Sequence, residues 1–392
     1  MKDIDKDLSP REYDFDSKDE TSYKTLREQK LSLNSFYDLN SQKVLFSPSL
    51  ENNIFVQNRS NDKEIESPSP FSISLLLTSF YNNKSTIQLQ NRIKGASKEE
   101  LDYILKELNG HYSAIMKHRN GNYFCKDLFK TCDKSQRIKI LTEICSTMSE
   151  DCIDEFGAHP IQTLIEISSC EEEYKLLLSS FNSVNNILKV ALNQNGSFVI
   201  QKLIVHIPEK NRMEFNLNFV KLFLILSMDM YGVCTVIKFI NYTKNGLIEN
   251  LILNLILANF VNIAENQYGN YLIQNIMEKW WNTQKGIKLK KLCMEKFHIL
   301  AVNHYSSYAC DMLLKLSSLE DKTILLTSLY KYKNLNSLYA SNSGKIIMNK
   351  LMNSIKINGN NSNTNKNSSL KNIIKNINNY SKINNKEAKK DY

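Results

Sequence analysis

One pattern recurs along this 392-residue chain at a nearly constant step, and it limits the possible folds more than any other feature. It is most complete at Gly269-Asn270-Tyr271-Leu272-Ile273-Gln274, followed by an apolar pair at Ile276 and Met277. The template lies without gaps over Gly196 to Ile204, and it fits again at Gly121, Gly157, Gly232 and Gly344. Ser306 takes the glycine place in one further copy, and a weaker copy starts at Ser85. The eight starts are separated by 36, 36, 39, 36, 37, 37 and 38 residues. A repeat of this length and number means stacked units of one kind, so one continuous array fills most of the chain.

The units read as helical. From about residue 71 to about 352 apolar residues recur at three and four, as in Leu101, Ile104, Leu105 and Leu108. No stretch alternates for long with period two. Six of the eleven glycines stand at the template position, just before an inner helix, where they permit a tight turn and close approach of neighbouring units. Pro160 falls in the first turn of the third copy, where its missing N–H costs little. Phe71 to Tyr81 is apolar enough to cap the array. The most apolar run, Leu247 to Ala264, carries Glu249, Asn250, Asn254, Asn259 and Asn262, too many for a membrane span. It is expected to be a helix buried between neighbouring repeats.

The flanks differ from the array. Residues 1–70 are rich in Asp, Ser, Asn and Lys and are expected to be disordered. Four of the six prolines lie there, each after a serine, at Ser9, Ser47, Ser67 and Ser69. Linker composition accounts for these pairs, with proline-directed phosphorylation the alternative. The folded domain is expected over 71–356, and 357–392 is an Asn- and Lys-rich tail expected to be disordered. The first residues carry alternating charges and no apolar core, so no signal peptide is read there. The eight cysteines form no Cys-x-x-Cys pair and read as reduced, mostly buried thiols of an intracellular protein rather than metal ligands. The net charge of +9 is compatible with an anionic partner, and equally with a Lys- and Asn-biased composition.

The chemistry of the template lies in three positions of the inner helix. Its first and fifth residues share a helical face with the second beside them, and the third, fourth, seventh and eighth are apolar. Each unit is thus expected to present three side chains on a common surface, and stacking turns them into a ladder. The second-position residues are Ile87, Tyr123, His159, Phe198, Cys234, Tyr271, Tyr308 and Ile346. Rings at regular intervals suit stacking on flat bases. The first and fifth residues pair as Thr86/Gln90, Asn122/Lys126, Ala158/Gln162, Ser197/Gln201, Val233/Ile237, Asn270/Gln274, Ser307/Asp311 and Lys345/Asn349. Amides and hydroxyls among them can pair with a base edge.

With those residues in view, the repeats resemble those of the Pumilio (PUF) family of single-stranded RNA-binding proteins, in which each repeat reads one base with two or three side chains. The likeness spans about 82–356 and rests chiefly on Gly-Asn-Tyr-Leu-Ile-Gln at 269–274, Gly-Ser-Phe-Val-Ile-Gln at 196–201 and Tyr-Ser-Ser-Tyr-Ala-Cys-Asp at 305–311. It implies a right-handed all-α solenoid, a crescent of about eight three-helix repeats, that binds RNA antiparallel with its last repeat on the 5′ base. It implies uracil at Asn270, Tyr271 and Gln274, guanine at Ser307, Tyr308 and Asp311, and adenine at Ser197, Phe198 and Gln201. Asp311 is shorter than the family's Glu. Thr86 with Gln90, and Ala158 with Gln162 beside His159 in the stacking place, are further adenine candidates, although Ala158 lacks a side-chain donor. Asn122 and Tyr123 suggest uracil, while Lys126 in the amide place suits a phosphate. Val233/Ile237 offers no edge-reading group, and Lys345/Asn349 departs from the family's last repeat. The site implied is 5′-N-G-U-N-A-N-N-A-3′.

Function follows from the resemblance as an expectation: a cytoplasmic monomer on mRNA 3′ untranslated regions, repressing or destabilising the message through partners such as a deadenylase complex. No cofactor, metal or membrane is implied. A nucleolar ribosome-assembly factor with loose base selection is one alternative, and a protein-interaction scaffold another. An enzyme is the least supported class. The six histidines are dispersed, with His159 on the ladder and His111 and His118 beside repeat two, and none pairs recognisably with Ser or Cys.

Overall fold

The computed structural model describes residues 73–331, 335–359 and 372–377. All of these fall in one compact unit, Glu66–Tyr392. The expected disordered segment 1–70, with its Ser-Pro pairs, lies outside the described residues. Among the described residues every regular element is helical.

The eight template copies are eight inner helices: Asn83–Lys94, Gly121–Thr131, Ala158–Ile167, Gln194–His206, Gly232–Tyr242, Gly269–Trp280, Ser307–Leu316 and Asn342–Gly359. Each packs on the next along the chain, so the inner helices form one continuous layer. A typical unit has an outer helix, a short connecting helix and the inner helix, as in Lys98–Leu108, Tyr112–Met116 and Gly121–Thr131. In the seventh unit the outer and connecting helices are one, Gln284–Leu300. The core lies between the layers. In the sixth repeat Leu272, Ile273, Ile276 and Met277, the apolar template positions, are at most 1% exposed. Leu76 and Phe80 are equally buried and close the N-terminal end, as the apolar run there requires.

A second recurring element is a turn. Three residues before each template start, a side chain accepts backbone N–H groups of the turn that opens the inner helix. Asn266 Oδ1 accepts from Tyr268 N and Gly269 N, both at 2.9 Å. Asn82, Asp154, Asn193, Asp229 and Asn303 make the same pair of bonds, and Ser341 Oγ accepts from Gly344 N. These bonds satisfy donors that a helix start leaves without partners. In the second repeat the acceptor is an imidazole: His118 Nδ1 takes Asn120 N and Gly121 N, each at 3.2 Å.

The template glycine serves a contact rather than a special dihedral. Among the described glycines only Gly110 has positive φ (83°). A Cβ at Gly232 would lie 2.6 Å from Leu226 O, and one at Gly157 would lie 2.7 Å from Asp151 O. The obstructing atom at Gly121, Gly196, Gly269 and Gly344 is likewise the carbonyl oxygen six residues earlier. The close approach is therefore made within a unit, against its own connecting helix, and not between units as the sequence reading has it. Ser306 solves the same problem differently, donating its hydroxyl to Leu300 O at 2.6 Å.

Neighbouring units are tied at one-period spacing. Arg137 Nε bonds Glu173 Oε1 at 2.6 Å between consecutive outer helices. Burial disfavours the ionised Glu173 carboxyl, yet the bonds from Arg137 and the Ser169 N–H outweigh it and hold its pKa below the usual range. Asn218 reaches Asn182 O, Asn120 reaches Phe80 O and Ser180 reaches Cys145 O, each in the preceding unit.

Two expectations need correction. Leu247 to Ala264 is two helices, Gly246–Ala258 and Phe260–Glu265, and Leu247 and Leu251 are 60% and 38% exposed. An outer helix has neighbours on one face only, so the apolar residues on its other face, Leu247 and Leu251 among them, remain in solvent. The C-terminal tail is also not uniformly without structure. Residues 372–377 are helical, Ile377 is fully buried, and Asn376 Nδ2 donates to the Tyr330 hydroxyl at 3.1 Å. Three isoleucines at 373, 374 and 377 form an apolar helical face that the surrounding Asn and Lys mask in a compositional reading.

Two outcomes follow for stability. Gly269→Ala is expected to cost about 1–3 kcal/mol, because the blocking atom is backbone and cannot rotate away. Gly246→Ala, with open space around it, leaves stability unchanged or slightly raised. Chemical denaturation of the two variants checks this. Burial lowers the His118 pKa below its ordinary 6.5, and the neutral ring is the capping form. The unfolded chain therefore binds more protons in the window just below 6.5, and the His118 contribution is complete above that pH and lost as pH falls below it. Thermal melts between about pH 7.5 and 5 should show a smaller drop for His118→Asn, which keeps an acceptor that does not titrate, than for the wild type.

Candidate nucleic-acid interface

The second-position residues all reach the surface. Ile87, Tyr123, Phe198 and Ile346 are 51–56% exposed, Tyr308 is 45% and Tyr271 37%, and His159 and Cys234 are also exposed. They follow one another on consecutive, mutually packed inner helices, which is the ladder that the spacing predicts. Lys126 Nζ lies 5.7 Å from the Tyr123 ring centroid, and the His304 ring meets the Tyr308 ring edge-on at 5.7 Å.

Six of the eight first-position residues are not on that surface. Thr86, Asn122, Ala158, Ser197, Val233 and Asn270 are at most 5% exposed, and Ser307 and Lys345 are half-buried. The polar atoms of Thr86, Asn122, Ser197, Asn270 and Ser307 are turned into the helix start. Asn270 Nδ2 donates to Asn266 O (3.2 Å) and Gln267 O (2.8 Å). Asn122 Nδ2 does the same to His118 O and Arg119 O. Thr86 Oγ1 donates to Ser79 O and Asn82 O, Ser197 Oγ to Gln194 O, and Ser307 Oγ to His304 O. A residue at the first helical position lies over the preceding turn, so a short side chain bonds that turn before it reaches outward. The expectation of three exposed side chains per unit is corrected to two in these six units.

The fifth position is where a polar group is both anchored and accessible. Gln90, Lys126, Gln162, Gln201, Gln274 and Asp311 are half-buried, as is the apolar Ile237, while Asn349 is exposed. Gln274 Nε2 donates to Asn270 Oδ1 at 3.0 Å, so the buried asparagine orients the glutamine above it.

A further position was not singled out by the sequence reading. The sixth residue of one inner helix borders the fifth residue of the preceding one. Gln90 Nε2 donates to Asp127 Oδ2 at 2.8 Å, and Lys350 Nζ donates to Asp311 Oδ1 at 2.7 Å. Lys202 and Lys238 stand in the same relation to Gln162 and Gln201, along a cleft of about 210 Å3 that also takes in Phe198 and Tyr242. Lys202 is additionally paired with Glu166. Periodicity alone does not reveal these neighbours, because they depend on how far each helix slides along the next. The turn acceptors at 82, 118, 154, 193, 229, 266, 303 and 341 were legible, since seven of these eight are Asn, Asp or Ser.

The family model for the Pumilio-family RNA binding repeat matches residues 111–145, 186–214 and 259–280, in each case reaching into an inner helix of the ladder. These matches support a Pumilio-family protein. Pumilio homolog 12 of Arabidopsis thaliana is 21% identical over 266 residues, covering 66% of this chain and 44% of that protein. Fem-3 mRNA-binding factor 1 of Caenorhabditis elegans is 27% identical over 183 residues, covering 40% of this chain and 29% of the relative. The chain thus spans less than half the length of these curated relatives. In shape it is similar to the Puf4 RNA-binding domain bound to an HO endonuclease 3′ UTR recognition sequence, with a TM-score of 0.65 at 17% identity, over 75% of this chain and 89% of that one. The yeast Puf5p RNA-binding domain bound to SMX2 RNA gives 0.63 at 17% identity, over 78% and 90%. The expected all-helical solenoid is the observed one.

The two classes of ladder residue should separate on mutation. Asn270→Ala removes an amide that holds two backbone carbonyls and is expected to cost about 1–3 kcal/mol in denaturant unfolding. Phe198→Ala, on a half-exposed ring, should stay within about 0.5 kcal/mol of the wild type.

Proposed function

We propose that this chain binds single-stranded RNA on the inner-helix ladder, one base per repeat over most of its length. The observation that carries the reading is the alternation, along stacked helices, of exposed second-position rings with anchored fifth-position polar groups. Bases stack between rings at successive steps, each contact worth about 1–3 kcal/mol. Amide and carboxylate groups beside them meet the base edge. The three matches to the Pumilio-family RNA binding repeat support the same reading.

Uracil falls to Gln274 with Tyr271 and adenine to Gln201 with Phe198, and the Asp311 carboxylate beside Tyr308, taken alone, suits guanine. Gln90 and Gln162 favour adenine less strictly, and Lys126 takes a phosphate. The fifth repeat, with Val233, Cys234 and Ile237, reads no edge. The RNA is an mRNA 3′ untranslated region, bound by a cytoplasmic monomer. The consequence is repression or destabilisation through recruited proteins such as a deadenylase. The unreading fifth repeat and the Lys345/Asn349 repeat favour a second reading, a ribosome-assembly factor with loose base selection.

Selection from a random RNA pool at stated salt separates the two. A motif with a defined uracil should emerge, with Gln274→Ala weakening selection at that uracil by about fivefold or more. A steep salt slope with no motif supports the assembly-factor reading instead, and absence of binding near physiological salt rejects both.

A further inference from the structure

We propose that Lys350 sets the base preference of the seventh repeat, and that it broadens a position which Asp311 alone would reserve for guanine. The inference rests on the RNA-binding reading above. Lys350 is the sixth residue of the eighth inner helix, and its ammonium lies 2.7 Å from Asp311 Oδ1. Both side chains are about half exposed, 51% for Lys350 and 45% for Asp311. The pair therefore stands at the accessible surface of the ladder, beside the exposed Tyr308 ring.

Donors and acceptors on the two side chains decide which base edges fit. A carboxylate with both oxygens free accepts two parallel hydrogen bonds. On a Watson–Crick edge only guanine offers two adjacent donors, N1–H and N2–H, so a free Asp311 selects guanine. Oδ1 accepts from Lys350, and the ammonium charge held against it disfavours a second N–H donor at that oxygen, which leaves Oδ2 as the open acceptor. The ammonium has three N–H donors, of which one is used, so it supplies a donor next to that acceptor. An acceptor beside a donor complements N1–H and O6 of guanine. It equally complements N6–H and N1 of adenine, N3–H and O4 of uracil, and N4–H and N3 of cytosine. The Lys350–Asp311 pair can thus meet every base with two hydrogen bonds and separates them poorly.

The first repeat shows the same arrangement with other chemistry. Gln90 Nε2 donates to Asp127 Oδ2 at 2.8 Å, and Asp127 is also 3.2 Å from Lys94 Nζ. There too, a fifth-position group that would face a base is engaged by the sixth-position residue of the next helix. The base read by one repeat therefore depends on a side chain of its neighbour, and the two-position code within a repeat is incomplete.

The test uses the full chain and four RNAs that differ only at the nucleotide 5′ of the uracil mapped by Gln274→Ala. For the wild type the four affinities should lie within about fivefold of one another, below the discrimination of one good bidentate edge pair. Lys350→Ala frees Asp311 and should favour guanine over the next base by about fivefold to a hundredfold, the range such a pair supplies. Lys350→Arg, which still occupies the carboxylate, should keep the flat wild-type preference. The ratio among bases is the readout, so an equal loss for all four RNAs in Lys350→Ala would mark a phosphate contact only and overturn the proposal. A wild type already selective for guanine and unchanged by Lys350→Ala would overturn it as well. Failure of the wild type to bind any of the RNAs would remove the underlying reading, and is recognised by absent binding rather than by an unchanged ratio.

Discussion

Everything on the ladder depends on how each inner helix begins. At that point a backbone carbonyl of the connecting helix sits against the template position, where six of eight repeats have glycine and the seventh has Ser306 donating to the same carbonyl. An Asn, Asp, Ser or His three residues earlier pins the turn by accepting its N–H groups. Together these contacts set the axial position and rotation of the helix. Rotation decides which side chains leave the core, because neighbouring positions on a helix differ by about 100°. A helix start displaced by one residue would bury the rings and expose Leu272 or Phe124.

That constraint explains the division of labour within the template. The first residue is pressed onto the turn, so Asn270, Asn122, Thr86 and Ser197 spend their polar atoms on backbone carbonyls. The second, rotated away from the connecting helix, has no packing partner broad enough to cover it and stays exposed even where it is Ile87 or Ile346. The fifth lies one turn above the first and inherits its support, as Gln274 does from Asn270. The exposed rings cost little to the fold and are available for a ligand. The buried first residues cannot be changed without disturbing the helix start, so their effects on binding and on stability are coupled.

Much of this was readable from residues alone. The eight starts, the helical period and the exposed second position all follow from spacing, because a repeated helix must place equivalent residues on equivalent faces. Two features were misread for identifiable reasons. The glycines were assigned to contacts between units, although the obstructing carbonyl belongs to the same unit, and only coordinates distinguish the two. The first position was placed on the surface by helical geometry, which does not weigh the pull of nearby carbonyls on a short polar side chain. Composition hid the helix at 372–377, where three isoleucines are spaced for one buried face.

The sequence by itself determined that this chain is a stack of about eight helical units, where each begins, and which residue types line one face, since those depend on local periodicity. The tertiary structure alone decided which of those residues are free to meet a ligand and which neighbour modifies them. Lys350 and Asp311 are 39 residues apart, and Gln90 and Asp127 are 37 apart. Their contacts depend on the slide of one helix along the next. That slide is set by the packed volumes of residues such as Leu313, Leu314, Met348 and Leu351, all buried, and by how they fill the space between two helices. No pattern within a single repeat encodes it.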